Sequence, residues 1–472
     1  CSYPTAKDAE SDRLVDGKPL KEYIQGPNVH PDHTVENHGF FHPDYLACYS
    51  LMVRNACAYR LAGEPVPEAT LFNVDPSRDI LNFLTLPNGW LFYPQETDWN
   101  NYRHEVLISA QHTNPMIPDP VGARALRWGI DFLEYADALH ERDESANLFP
   151  GLNFNCYPLN VLAESYLLHV LFGPGAAPVT DQEALIALSG TRLFEYGKFV
   201  VCRSPGSMAS FSWFGTGQRL MGVFTPLSRS TFAVPEFRSL IGYIESDAEQ
   251  DGEPEDSKSI DPVEIINRHV DLLPDGGYAV TLDIRRGRHR ELGEHLAMVA
   301  LPDGRFVYLE NFQPTADAGH KLGQRRTALL YLEDNPYWRR ATGWIGIHHP
   351  GGTYGRSEVN TTPDRLILDG RNTPWLNVND RLGIVIRSSS RVELRPGRDR
   401  QELSLNYFAP MPQDKRDPAA TFAAVFYPQA TRTKTIQLSR DVKFIDLGDR
   451  AIAVRLDDLT VAVNLSDQPI KL

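Results

Sequence analysis

Residues 30–45 read His-Pro-Asp-His-Thr-Val-Glu-Asn-His-Gly-Phe-Phe-His-Pro-Asp-Tyr and hold four of the chain's 14 histidines. So close a mixture of imidazoles, carboxylates, an amide and aromatic rings suits three different tasks. The first is a metal site, because His30, His33, His38 and His42 alternate with Asp32, Glu36 and Asp44. Pro31 and Pro43 work against it, since they prevent the regular i, i+4 pairing of ligands on a helix. The second is a loop leading into a helix, with polar side chains capping backbone groups. The third is a catalytic loop in which Asn37 and His38 stand side by side at the mouth of a cleft. An amide there can stabilise developing negative charge, and an imidazole can move a proton.

The elements around this segment divide the chain of 472 residues in two. Up to about residue 190 the apolar spacing is helical. Helices are expected from Pro43 onward, over 77–84, 102–111 and 121–142, and over 159–172, which is apolar on every side and reads as interior. The loops over 85–101 and 112–119 are long and rich in Pro, Asn and aromatics, as functional loops often are. From residue 191 the pattern switches to period two. Strands are expected over 198–202, 278–284, 296–300, 306–310, 382–387, 391–394, 422–427, 443–445 and 451–456. The acidic stretch 245–261 reads as a solvated loop. The expected fold is therefore α+β and multidomain: an α-helical domain over 1–190, then a large antiparallel β-sandwich over 191–472.

Composition narrows the function. With 47 Lys+Arg against 61 Asp+Glu the net charge is −14, which argues against nucleic-acid binding. No apolar run reaches the length of a membrane span. The five cysteines, Cys1, Cys48, Cys57, Cys156 and Cys202, lack metal-ligand spacing and read mostly as buried thiols. The chain begins with Cys, not Met, and no export signal follows.

Asn37-His38-Gly39, followed by aromatics and an acidic residue, resembles the Asn-His-Gly motif of toroidal polysaccharide lyases, the heparinase II/III-like and oligoalginate-lyase group. Pro87-Asn88-Gly89 is similar to that group's Pro-Asp-Gly turn, and Tyr93, Glu96, Asp98-Trp99 and Tyr102-Arg103-His104 follow it. Arg203-Ser204-Pro205, Ala209 to Trp213, His295 to Glu310 with its turn Pro302-Asp303-Gly304-Arg305, and Leu376 to Gly383 resemble the group's sandwich strands. The resemblance implies an (α/α) toroid followed by the β-sandwich. It also implies further helices upstream of the Asn-His pair, so either an N-terminal stretch is missing or the toroid is short. The group's substrates imply an acidic polysaccharide or oligosaccharide as partner and a secreted or periplasmic location.

The implied reaction is β-elimination at a uronate. Asn37 would hydrogen-bond the substrate carboxylate and favour the enolate-like intermediate, and His38 would serve as base or orienter. A tyrosine would protonate the departing glycosidic oxygen. Tyr93 matches the group's spacing from the Asn-His pair, whereas Tyr102 fits the local context better by opening a helix after the acidic-aromatic segment. This route needs no metal or organic cofactor. Candidate substrate-binding residues are Glu96, Trp99, Arg203, His295, His348 and His349. Trp90 and Trp213 are possible sugar platforms, and Arg285, Arg286, Arg288 and Arg290 form a basic stripe. Two other functions compete. A toroidal glycoside hydrolase would use paired carboxylates among Glu36, Asp44, Glu96 and Asp98, and a glycan-binding protein would use the aromatic groove without catalysis.

Overall fold

The computed structural model describes residues 2–95, 113–142, 156–214, 220–228, 239–245, 263–287, 290, 292–315, 324–333, 346–355, 365–388, 390–396, 400–408, 420–446, 451–457 and 459–464. Among the described residues six α-helices precede Gly190: α1 (Pro43–Leu46), α2 (Tyr49–Leu61), α3 (Val74–Phe83), α4 (Pro120–Arg142), α5 (Cys156–Phe172) and α6 (Asp181–Ala187). From Gly190 onward the described elements are strands, apart from one 3-10 turn and α7 (Arg432–Asp441). The helix expected over 102–111 lies outside the described residues.

Local chemistry explains where the helices start. The Asp119 carboxylate accepts the Val121 N–H at 3.0 Å and caps α4, with Pro120 at a first-turn position that needs no donor. Thr180 and Glu183 form a reciprocal capping box that opens α6. Ala125, Trp128 and Phe132 of α4 fall on one face and pack in the same core as Ile80, Leu81 and Phe83 of α3. The Trp128 indole N–H donates to Asp181 at 2.9 Å and ties α4 to α6. α5 departs from the interior position expected for 159–172. Val161 and Leu168 are buried, but Tyr166, Leu167, Val170 and Leu171 are 54–70% exposed. A helix that is apolar all round needs neighbours on every side, and the described residues cover only one.

All strand pairs among the described residues are antiparallel. A four-stranded meander (Gly190–Phe194, Phe199–Arg203, Ser207–Ser212, Met221–Pro226) forms the middle layer. Alternation divides its residues between two cores. Phe199, Val201, Met208 and Val223 face the helices, while Val200, Cys202, Ala209, Phe211 and Phe224 face the strands beyond. Those strands include a nine-stranded sheet whose order runs Val263–Leu272, Tyr278–Arg286, Leu292–Ala300, Phe306–Pro314, Ala420–Pro428, Leu382–Ser388, Trp375–Val378, Gly346–His349 and Gly352–Gly355. A five-stranded sheet containing Gln324–Glu333 and Arg400–Phe408 packs on the same inner face. The outer face carries Ala297, Val307, Leu309 and Val425 under α7 and the three-stranded sheet Lys443–Asp446, Ala451–Leu456 and Leu459–Asn464.

The period-two geometry also breaks up the arginine stripe. Arg285 and Arg286 are neighbours on one strand, so they point to opposite faces. Arg285 is exposed, whereas Arg286 is buried between the sheets. There it pairs with Glu294 at 3.0 Å and donates to the carbonyls of Ile241 and Gly242. Arg290 pairs with Glu264 at 3.1 Å, and Arg288 lies outside the described residues. Beside Arg286 the carboxyl of Glu310 accepts from Thr327 (2.7 Å), Asn406 (3.1 Å) and Tyr308 (3.3 Å). Burial, and then the neighbouring Glu294, push Glu310 well above the usual carboxylate range. Cys57 and Cys202 are buried thiols, but Cys48 is exposed. No helix among the described residues is long and apolar enough to cross a membrane.

Candidate active site

Asn37-His38-Gly39 is the turn of a two-stranded hairpin that pairs Glu36 with Phe41 and Asn37 with Phe40. Its two central residues have φ of +54° (His38) and +86° (Gly39), as a type I′ turn requires. Gly39 therefore suits the backbone, and His38 occupies a left-handed conformation that is uncommon for a non-glycine residue. The side chain of His38 is exposed at the tip. The amide nitrogen of Asn37 is shielded from solvent and has no hydrogen-bond partner among the described residues.

Below the tip the hairpin rests on a polar aromatic floor. His42 is fully buried, and its Nδ1 meets the Asp44 carboxylate at 2.7 Å. The imidazole touches the rings of Phe40, Tyr45 and Tyr93, with centroids 4.6, 5.6 and 6.0 Å away. The buried amide of Gln95 then joins three pieces of chain. Its oxygen accepts the Phe41 N–H at 2.6 Å, and its nitrogen donates to the Gly197 carbonyl at 2.5 Å and to Ser212 Oγ at 2.9 Å. Asp32 holds the same turn of the four-stranded sheet by accepting the N–H groups of Tyr196 and Gly197. The hairpin is thus clamped between the helical half and the middle sheet.

Tyr93 reaches this floor on a loop that folds back on itself. The Leu86 N–H donates to the Trp90 carbonyl, and the Phe92 N–H to the Leu84 carbonyl, both at 2.7 Å. At the loop's apex Gly89 has φ +87°, and a Cβ there would lie 2.7 Å from the Trp128 carbonyl oxygen and 2.8 Å from Phe132 Cβ. Both the conformation and the close approach of α4 demand glycine. Gly89→Ala is expected to destabilise the protein by about 2–4 kcal/mol, the sum of left-handed strain and overpacking. A thermal midpoint equal to wild type would show that α4 yields without loss.

Asn37 pairs across the hairpin with Phe40, and Phe40 and Tyr93 both pack against His42. Glu96, Trp99 and Tyr102 lie outside the described residues. Arg203 is 1% exposed, and one guanidinium nitrogen donates to the carbonyls of Phe83 and Thr85 at 2.6 and 2.7 Å. It anchors the C-terminal end of α3, where a cation complements the helix dipole. Burial, with Arg192 near by, pushes its guanidinium down to about 9.

His295 sits on the outer face of the nine-stranded sheet, turned from the middle layer. It pairs with Asp283 at 2.5 Å in a polar row with Asn311 and Thr421. His348 and His349 lie at the far edge of that sheet. His348 meets Thr353 at 2.8 Å, and burial followed by Arg432 and His348 lowers His349 from the usual imidazole range. Neither pair joins the hairpin. Trp90 is buried beside Tyr93, and Trp213 lies partly exposed beneath Arg268.

Sequence reasoning did not single out His42 or Gln95. A histidine just before Pro43 with an aspartate two residues on was a visible signal for the first. Nothing local marks the second, because its partners come from residues 41, 197 and 212. A separate cleft of about 310 Å³, lined by Arg13 and residues 66–68 and 71–73, shares nothing with this site, and Arg13 is already engaged by Glu68.

No family model matches the chain, and no curated protein sequence matches it. Among solved structures it is similar to a heparinase III gene product at 12% identity and a TM-score of 0.41, over 91% of this chain and 59% of that one. It is also similar to the heparan sulfate lyase HepC from Pedobacter heparinus at 11% identity and a TM-score of 0.39, over 94% of this chain and 60% of that one. The chain spans about 60% of the length of the solved proteins it resembles.

Proposed function

We propose that this protein is a polysaccharide lyase that cleaves a uronate-containing glycan by β-elimination, with its helical half forming part of an (α/α) toroid beside the β-sandwich. The observation that carries this reading is the Asn37 amide, a donor without a partner among the described residues, next to an imidazole exposed in the same turn. Asn37 donates to the substrate carboxylate, so that charge released as the C5 proton leaves is delocalised onto a hydrogen-bonded group. His38 takes that proton or orients the group that does. The C5–H electrons become the new C4–C5 double bond, the C4–O bond breaks, and the leaving oxygen receives a proton from a tyrosine. Tyr102 is assigned that step ahead of Tyr93, and a phenol serves both proton transfers. The route runs on side chains alone, and a polymeric acidic substrate suits a secreted or periplasmic enzyme.

The test is a panel of uronate polysaccharides and oligosaccharides, followed by the ultraviolet absorbance of the conjugated unsaturated product. Wild type is expected to generate it, and Tyr102→Phe to lower the rate by at least roughly 100-fold. A loss confined to Tyr93→Phe moves the acid/base role to Tyr93. New reducing ends without the absorbance overturn the reading in favour of hydrolysis by carboxylates such as Glu36 and Glu96.

A further inference from the structure

Two cations, Lys198 and Arg268, sit on aromatic rings and have no carboxylate partner among the described residues. Lys198 follows the turn that Gln95 and Asp32 clamp, and its ammonium sits 3.7 Å from the centroid of the Phe214 ring. Arg268 projects from the edge strand Val263–Leu272 of the nine-stranded sheet, and its guanidinium carbon lies 4.2 Å from the Trp213 ring. Neither has a carboxylate within ion-pair distance among the described residues; the acid felt by Arg268 is Glu195, which makes no ion pair with it. Other surface cations are paired with carboxylates, as at Arg13–Glu68, Lys21–Asp12, Arg192–Asp79 and Arg290–Glu264, while Lys18 sits 5.9 Å from the Tyr23 ring centroid and Arg285 is exposed without an ion pair among the described residues.

The difference has a chemical consequence. A carboxylate partner fixes a cation but cancels its charge, whereas an aromatic face fixes it and leaves its N–H donors and its charge for an incoming anion. Trp213 and Phe214 are consecutive residues at the end of one strand, so the two seated cations flank the same end of the middle sheet. The backbone there is tied to the candidate active site. Ser212 Oγ donates to the Lys198 carbonyl and accepts from Gln95, whose oxygen holds Phe41 at the base of the Asn37 hairpin. Tyr196, on the same turn, is 54% exposed and stacked against His30 at 6.4 Å.

We propose that Lys198 and Arg268, seated on Phe214 and Trp213, form a subsite for anionic groups of an acidic glycan whose neighbouring residues extend toward Asn37. The subsite rests on the reading of the substrate as an acidic glycan, and it adds the residues that recognise charge away from the reacting bond. The shared chemistry is a carboxylate or a sulfate on a sugar ring. Arg268 favours the planar, two-pronged pairing that both oxyanions accept, and Lys198 supplies a point charge.

Calorimetric titration with three oligosaccharides of equal length tests it: an unsulfated uronate oligomer, its carboxyl-reduced neutral counterpart, and a sulfated uronate oligomer. Lys198→Gln and Arg268→Gln are each expected to weaken binding of the charged oligomers by roughly tenfold, and the double variant by roughly a hundredfold. The neutral counterpart should bind wild type and variants alike, and the thermal midpoint should not move. A sulfated oligomer that suffers more than the unsulfated one assigns the subsite to sulfate, and equal losses assign it to carboxylate. The subsite is overturned if the double variant binds the charged oligomers within twofold of wild type, if the neutral oligomer loses equally, or if wild type binds no charged oligomer. Loss of binding in the double variant, with no unsaturated product from wild type, leaves the subsite standing and removes the lyase reading. Product formation with unchanged KM in the double variant does the reverse.

Discussion

Asn37→Ala is expected to lower the turnover number for unsaturated product by roughly 100- to 1,000-fold, the scale found when one donor to a developing oxyanion is removed. The Asn37 amide nitrogen is shielded and makes no hydrogen bond among the described residues. A buried donor without a partner is destabilising by about 1–3 kcal/mol, so the same variant should unfold at an equal or higher temperature than wild type. Lost activity together with kept or raised stability is the signature of a group placed for substrate, not for folding. His38→Asn sharpens the point. Asparagine suits the left-handed position of a type I′ turn better than histidine does, so the hairpin should be kept or strengthened while the imidazole is removed. Substrate turnover by Asn37→Ala at the wild-type rate would remove the amide from the mechanism. A drop in thermal midpoint matching the loss of activity would make its role structural.

The largest expected effect on stability lies in the sandwich. Arg286→Met should cost about 3–5 kcal/mol, because it leaves the buried Glu294 carboxylate without the cation it meets at 3.0 Å. Glu310, beside it, has a carboxyl raised well above the usual range by burial first and Glu294 second. The sign of the resulting pH dependence follows from proton counting. Below the ordinary glutamate value of about 4.3 both the folded and unfolded forms hold the proton. Above it the unfolded chain releases a proton that the folded protein keeps, so this group's contribution to stability falls as pH rises until the folded group itself ionises. Glu310→Gln removes that dependence. The variant should gain on wild type by up to about 1.4 kcal/mol per pH unit across the window between the two values. Thermal midpoints of wild type, Arg286→Met and Glu310→Gln from about pH 5 to pH 8 check both claims. A Glu310→Gln curve parallel to wild type would mean that Glu310 is ionised throughout.

The candidate site was legible in part. The Asn-His-Gly segment stands out by composition but reads as a loop, and only the pairing of Glu36 with Phe41 and Asn37 with Phe40 makes it a hairpin turn. The floor beneath it was not legible. His42 looks like any of the four histidines in its segment until packing against Phe40, Tyr45 and Tyr93 buries it. Arg203 looked like a carboxylate partner because an arginine in an acidic chain suggests one. Its place on an inner strand turns it toward the end of α3 instead.

What the amino-acid sequence determined by itself was local: helices in the first part of the chain and strands of period two after residue 190. These depend on side-chain spacing and backbone preference within a few residues, which one stretch of chain contains in full. Only the tertiary structure decided which polar groups are buried, which cations are paired and which are seated on rings. Arg285 and Arg286 are adjacent in sequence yet lie in water and between two sheets, and the aromatic seat of Arg268 comes from residue 213, on another sheet. Burial and charge pairing are properties of the neighbours a residue meets in space, and those neighbours come from distant parts of the chain.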